Sequence, residues 1–145
     1  RRQRQMCIRD SAIGNTQGQG DDTGSHAGTN VQNTATLDRF GTAVYIDYLN
    51  PSIEEQMIVQ KWPDTVTRKA AKELVKLANL IRQGYKAGQF NLTMSPRSLF
   101  GICNKVSFGM SLKTAFNLVY ANKLNDTQRK VAEELFNKVY GNKTT

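Results

Sequence analysis

Histidine and cysteine are nearly missing from this chain: among 145 residues there are one histidine, His26, and two cysteines, Cys7 and Cys103. That scarcity leaves no disulfide framework and no zinc-ligand spacing, and it removes most metal and histidine-based triad chemistry. No apolar run approaches the roughly 20 residues that a membrane-spanning helix needs, and the basic N-terminus is not followed by an apolar stretch of signal-peptide length. A cytoplasmic protein without a membrane partner is the expectation. Neither G-x-x-x-x-G-K-[ST] nor G-x-G-x-x-G occurs, because Gly18, Gly20 and Gly24 have the wrong spacing, so the chain has no phosphate cradle of its own. What remains is long enough to bury a core without metal or disulfide.

The net charge is +8, and it is unevenly spread. Residues 1–11 carry +3, residues 12–64 carry −5, and residues 65–145, with fourteen basic and four acidic side chains, carry +10. The basic character therefore belongs to the C-terminal part, where it admits a nucleic-acid partner as an alternative reading. Residues 1–11, RRQRQMCIRDS, have neither helical nor strand periodicity and join abruptly to the polar stretch after them. They are expected to be non-native sequence, akin to a translated adapter, or a disordered basic arm, and no function is assigned to them.

Along the rest of the chain the punctuation is clear. Residues 17–36 mix four glycines with Asp, Thr, Asn and Gln and read as a long polar loop, a candidate active-site or pore-facing insertion. AVYIDYL, residues 43–49, is rich in β-branched and aromatic residues and reads as a strand covered on both faces. From Asn50-Pro51 the period becomes helical. A first helix, capped by Asn50 or Ser52, carries the apolar stripe Ile53, Met57, Ile58 and stops at Trp62-Pro63. A second runs from near Thr65 to about Lys86 on Val66, Ala70, Leu74, Leu77, Ile81 and Tyr85. Ser95-Pro96 opens a third, with Leu99, Ile102, Cys103 and Val106, and Gly109 closes the loop after it. Leu112, Ala115, Phe116, Val119 and Tyr120 mark a fourth; Asp126 caps a fifth, with Val131, Leu135, Phe136, Val139 and Tyr140, that stops at Gly141. One strand and a fragment of another make no stable sheet. The fold expected is thus the end of an α/β domain whose other strands lie upstream, followed by a helical bundle, and predominantly helical overall.

Three polar signals recur in a telling order: Asn15 in SAIGNTQGQGDDTG, Asp38-Arg39 in ATLDRF, and Arg97 in MSPRSL. In that order they resemble three features of AAA+ ATPases of the MoxR branch, namely the first-sensor Asn that ends a core strand, the LDRF segment with an arginine finger, and the SPR second sensor on the lid. GNTQGQGDDTG followed by GTNVQNTATLDRF is most similar to the CobS-like group, the ATPase subunits of aerobic cobaltochelatases, and to phage and bacterial relatives with the same insertion. The resemblance covers residues 12 to about 100 by motif and 101–145 by helical pattern.

The resemblance implies a division into a tail (1–11), the C-terminal end of the AAA+ α/β core (12–50) and a helical lid (51–145). It further implies that Asn15 orients the attacking water, that Arg39 reaches the nucleotide of a neighbouring subunit, and that Arg97 reaches the phosphates of its own. ATP with Mg²⁺, a homo-oligomeric ring, expected to be a hexamer, and a partner with a von Willebrand A-like domain belong to the same implication. The chemistry is consistent with it, since phosphoryl transfer needs fixed positive charge around the γ-phosphate, a task for which guanidinium is better suited than ammonium. Lacking the phosphate loop, the chain alone is expected neither to hydrolyse ATP nor to bind it tightly. Against these roles stand plainer ones: Asn15 as a turn former, Arg39 as the ion-pair partner of Asp38 or a helix-end charge, Arg97 as an exposed helix residue, Asp21-Asp22 as a turn, Asp47 as a strand-end residue, His26 as a solvated loop residue, and Lys69, Lys72 and Lys76 as a solvated face.

Overall fold

The computed structural model describes residues 13–14 and 30–141. The chain forms two compact units, Arg1–Ile46 and Asp47–Thr145.

In the first unit the described residues hold one short helix, α1 (Thr34–Leu37). Asn33 caps it, its side-chain oxygen accepting from the Ala35 amide at 2.9 Å. Hydrogen bonds from Arg39 to the Thr36 carbonyl (3.3 Å) and from Phe40 to that of Leu37 (3.1 Å) carry the turn on through LDRF. The strand expected over residues 43–49 does not form: this stretch has no regular structure, and Val44, Tyr45 and Ile46 are 77%, 76% and 84% exposed. β-propensity expresses packing against a pleated neighbour, and among the described residues no strand offers a ladder.

The second unit is all helix: α2 (Pro51–Lys61), α3 (Arg68–Lys86), α4 (Pro96–Ser107), α5 (Leu112–Val119) and α6 (Asp126–Tyr140), with a 3₁₀ turn at Ala121–Lys123. The expected helical bundle is thus present, and its boundaries follow from side-chain chemistry. Thr67, Ser111 and Asn125 accept from the amides of Ala70, Thr114 and Gln128 and start α3, α5 and α6. The cap of α6 is therefore Asn125 and not Asp126, which occupies the first helical position instead. Gly88 and Gly109, at φ of 76° and 86°, end α3 and α4 in the left-handed region. In each case the next amide reaches back to the carbonyl five residues earlier, Gln89 to Gly84 at 2.8 Å and Met110 to Lys105 at 3.2 Å.

α3 lies at the centre, packed against α2, α4 and α6, while α4 also packs on α5. Leu74, Leu77, Ala78 and Ile81 from α3, Leu99 and Ile102 from α4, and Ala115 and Phe116 from α5 are buried together. Phe116 and Phe136 stack at 5.0 Å and join α5 to α6, and Trp62 meets Phe100 edge-on at 5.6 Å and joins the end of α2 to α4. α2 departs from its expected stripe. It buries Glu54 and Ile58, whereas Ile53 and Met57 are 46% and 37% exposed. One helical turn separates Glu54 from Ile58, so the buried face is real, and a carboxylate occupies half of it.

Candidate functional site

The first turn of α4 carries the candidate site of the helical unit. Pro96 sits at the first helical position, where its missing N–H costs nothing and its fixed φ suits the helix. Ser95 stands at the cap position with no side-chain hydrogen bond to the helix; its hydroxyl lies 3.5 Å from that of Ser98. The expected serine cap is absent, and the amides of Ser98 and Leu99 are satisfied by the Ser95 carbonyl instead. Arg97 is exposed and makes no hydrogen bond or ion pair with a described residue. Its guanidinium is accordingly available to an anion outside the unit.

A buried charged pair lies just before this turn. Arg82, buried in α3, forks onto Glu54 of α2 with its two terminal nitrogens at 2.8 and 2.9 Å from the carboxylate oxygens. Its Nε donates to the Met94 carbonyl at 2.8 Å and a terminal nitrogen also reaches the Asn79 side-chain oxygen at 3.1 Å. The Tyr48 ring covers the guanidinium at 4.0 Å. Both charged groups are nearly sealed from water, Arg82 at 5% and Glu54 at 2% exposure. A pair so buried is tolerated because its donors and acceptors are matched, and loss of one partner strands the other. Sequence reasoning did not single out this pair. The signal existed: Arg82 continues the Leu74, Ala78 spacing and Glu54 the Ile58 spacing, so each helix has one charge of opposite sign on its buried stripe.

The other sequence-derived candidates fall elsewhere. Arg39 follows α1 in the first unit, exposed, as is Asp38; the two form no ion pair with each other, and neither pairs with another described residue. Arg39 and Arg97 belong to different units. Asn15, with His26, Asp21 and Asp22, lies outside the described residues. Asp47 turns its carboxylate onto the following amide, that of Tyr48, at 2.7 Å. Lys72 and Lys76 line, with Asn79, Gln83, Pro51 and Glu55, an open groove of about 290 Å³ between α2 and α3, both lysines being solvated. Cys103 is buried in α4, and burial pushes its thiol up to about 11, so it is an unreactive core residue at neutral pH. Among the described residues no helix is long and apolar enough to cross a membrane.

Residues 55–137, from within α2 to the last turns of α6, match the profile of the CbbQ/NirQ/NorQ C-terminal family. The chain belongs to that family. It is also 26% identical over 133 residues, 90% of its length, to the aerobic cobaltochelatase subunit CobS of a Sinorhizobium species. The match spans 40% of that relative's length. The chain is on these grounds a piece of a MoxR/CobS-type AAA+ ATPase, as the order of Asn15, Asp38-Arg39 and Arg97 implied. Arg97 stands on the third helix of the helical unit.

Proposed function

We propose that the chain is the C-terminal part of an ATP-hydrolysing ring motor, with residues 12–50 ending the nucleotide-binding core, residues 51–145 forming the lid, and residues 1–11 taking no part. The observation that carries this reading is Arg97: an exposed guanidinium with no partner among the described residues, in the first turn of α4 directly after Ser95-Pro96. In this reading Arg97 engages the phosphates of ATP bound in its own subunit, and the lid angle follows nucleotide state. Arg39 reaches into the site of the neighbouring subunit, and Asn15 orients the attacking water. The chain carries no G-x-x-x-x-G-K-[ST] phosphate loop, so in this reading ATP and Mg²⁺ are held chiefly by other parts of the intact protein, and the 145 residues alone do not turn ATP over. The intact protein is taken to be a cytoplasmic homo-oligomer, a hexamer, working with a partner that has a von Willebrand A-like domain. The relative is named as a subunit of an aerobic cobaltochelatase, and that activity is not carried over here.

The test is ATP turnover of the intact protein. Arg39→Ala should lower kcat by roughly 10³-fold or more, the usual worth of a finger arginine, and Arg97→Ala by about 10²-fold, that of a preorganised donor. Turnover within twofold of wild type for both variants would overturn the reading. The competing reading, a basic helical module that binds nucleic acid, is favoured by the run of residues 74–125, which holds seven basic side chains and no carboxylate. It requires binding that falls steeply with salt and survives loss of both arginines.

A further inference from the structure

The connector between α3 and α4 is held at three successive residues by three different elements. The Tyr120 hydroxyl donates to the Leu92 carbonyl at 2.6 Å. The hydroxyls of Tyr48 and Thr93 are 2.8 Å apart. Arg82 Nε donates to the Met94 carbonyl at 2.8 Å. Met94 itself is fully buried. Burial, and secondarily the proximity of Tyr48, pushes the Tyr120 hydroxyl well above its ordinary value, so it remains a donor at any physiological pH. Ser95, the residue after the clamp, supplies the carbonyl that accepts from the amides of Ser98 and Leu99 and so starts α4. The connector is thereby tied to α3, to the end of α5 and to the chain entering the unit. Two of its anchors also touch each other, because the Tyr48 ring lies over Arg82.

We propose that residues 92–94 form a three-point clamp through which Tyr48 and Arg82 act as positioning residues for the first turn of α4, and hence for Arg97. Tyr48 stands two residues past Ile46, where the first unit ends, so the clamp includes the stretch by which the chain enters the helical unit. The nucleotide-facing part of this role rests on the proposed contact of Arg97 with ATP; the clamp itself does not.

Amide hydrogen exchange of the 145-residue chain, without nucleotide, tests the clamp. Tyr48→Phe keeps the ring over Arg82 and deletes only the hydroxyl, and Thr93→Val deletes the same bond from the other side. Each should speed exchange of the Ser98 and Leu99 amides by about fivefold, the worth of one hydrogen bond, with Ala132 and Phe136 in α6 unchanged. Thr93→Ser, which restores the hydroxyl, should restore the wild-type rates. Unchanged exchange at Ser98 and Leu99, or an equal rise in α6, would overturn the clamp. In the intact protein Tyr48→Phe should lower ATP turnover in a wild-type background and have no further effect in Arg97→Ala, as for two residues acting through one contact. An effect that persists in Arg97→Ala would overturn the positioning role. A clamp seen by exchange, with Arg97→Ala fully active, would keep the clamp and remove the nucleotide reading.

Discussion

Residues 43–46 and α3 are both rich in apolar side chains, yet one stretch lies open to solvent and the other is the centre of a core. The strand-like segment leaves Val44, Tyr45 and Ile46 largely exposed, whereas Leu74, Leu77, Ala78 and Ile81 are sealed in a unit where α3 packs on α2, α4 and α6. The difference lies in where each kind of element finds its partners. A helix satisfies its own backbone and needs only a neighbouring stripe, which the rest of the unit supplies as further helices. A strand needs a second strand for its backbone before its side chains can pack. Apolar content and burial are consequently separate properties, and the lid has both within its own sequence.

Substitutions on each side of this contrast should differ in their effect on stability. The largest effect belongs to the buried pair. Arg82→Ala or Glu54→Ala should cost the chain about 3–5 kcal/mol in denaturant unfolding, because each leaves a lone charge in the core. The double replacement Glu54→Leu with Arg82→Met should recover most of that loss. Next comes Gly84. In an open helix, glycine to alanine would add about 1 kcal/mol of stability, but a methyl group here would lie 2.7 Å from the Phe90 ring. Gly84→Ala is therefore expected to lower stability by roughly 1–3 kcal/mol, measured the same way. Val44→Thr and Ile46→Thr, on the exposed side of the comparison, should change the stability of the 145-residue chain by less than about 0.5 kcal/mol. Smallest is a chemical effect: at pH 8 Cys103 should react with iodoacetamide only after denaturation, with the modified site located by peptide mass spectrometry, since its buried thiol is protonated there.

Much of the lid is legible in the sequence. Five helices, the stops at Trp62-Pro63 and Gly141 and the core residues Leu74, Leu77, Ile81, Leu99, Ile102 and Phe116 follow from period, proline and glycine alone. Three features are not. AVYIDYL has strand composition, and composition says nothing about whether a ladder partner is at hand. Ser95 is a strong cap by residue type, yet here its hydroxyl faces Ser98 and the helix start is fixed by the clamp. Glu54 and Arg82 escape notice because charged residues are ordinarily solvated, and only pairing across two helices makes their burial possible. As for the candidate site, Arg97 stands out from SPR and its neighbours, but the residues that hold its turn come from positions 48, 82 and 120, a grouping that exists only once α2, α3 and α5 are packed.

The claim at the centre of this account is that Arg97 reports nucleotide state from a pre-formed lid. Amide hydrogen exchange of the intact protein, with and without a non-hydrolysable ATP analogue, tests it most directly. Exchange at Ser98 and Leu99 should slow on analogue binding in the wild type and stay constant in Arg97→Ala, at analogue concentrations that saturate both proteins. The same slowing in Arg97→Ala, or no slowing in the wild type, would contradict it.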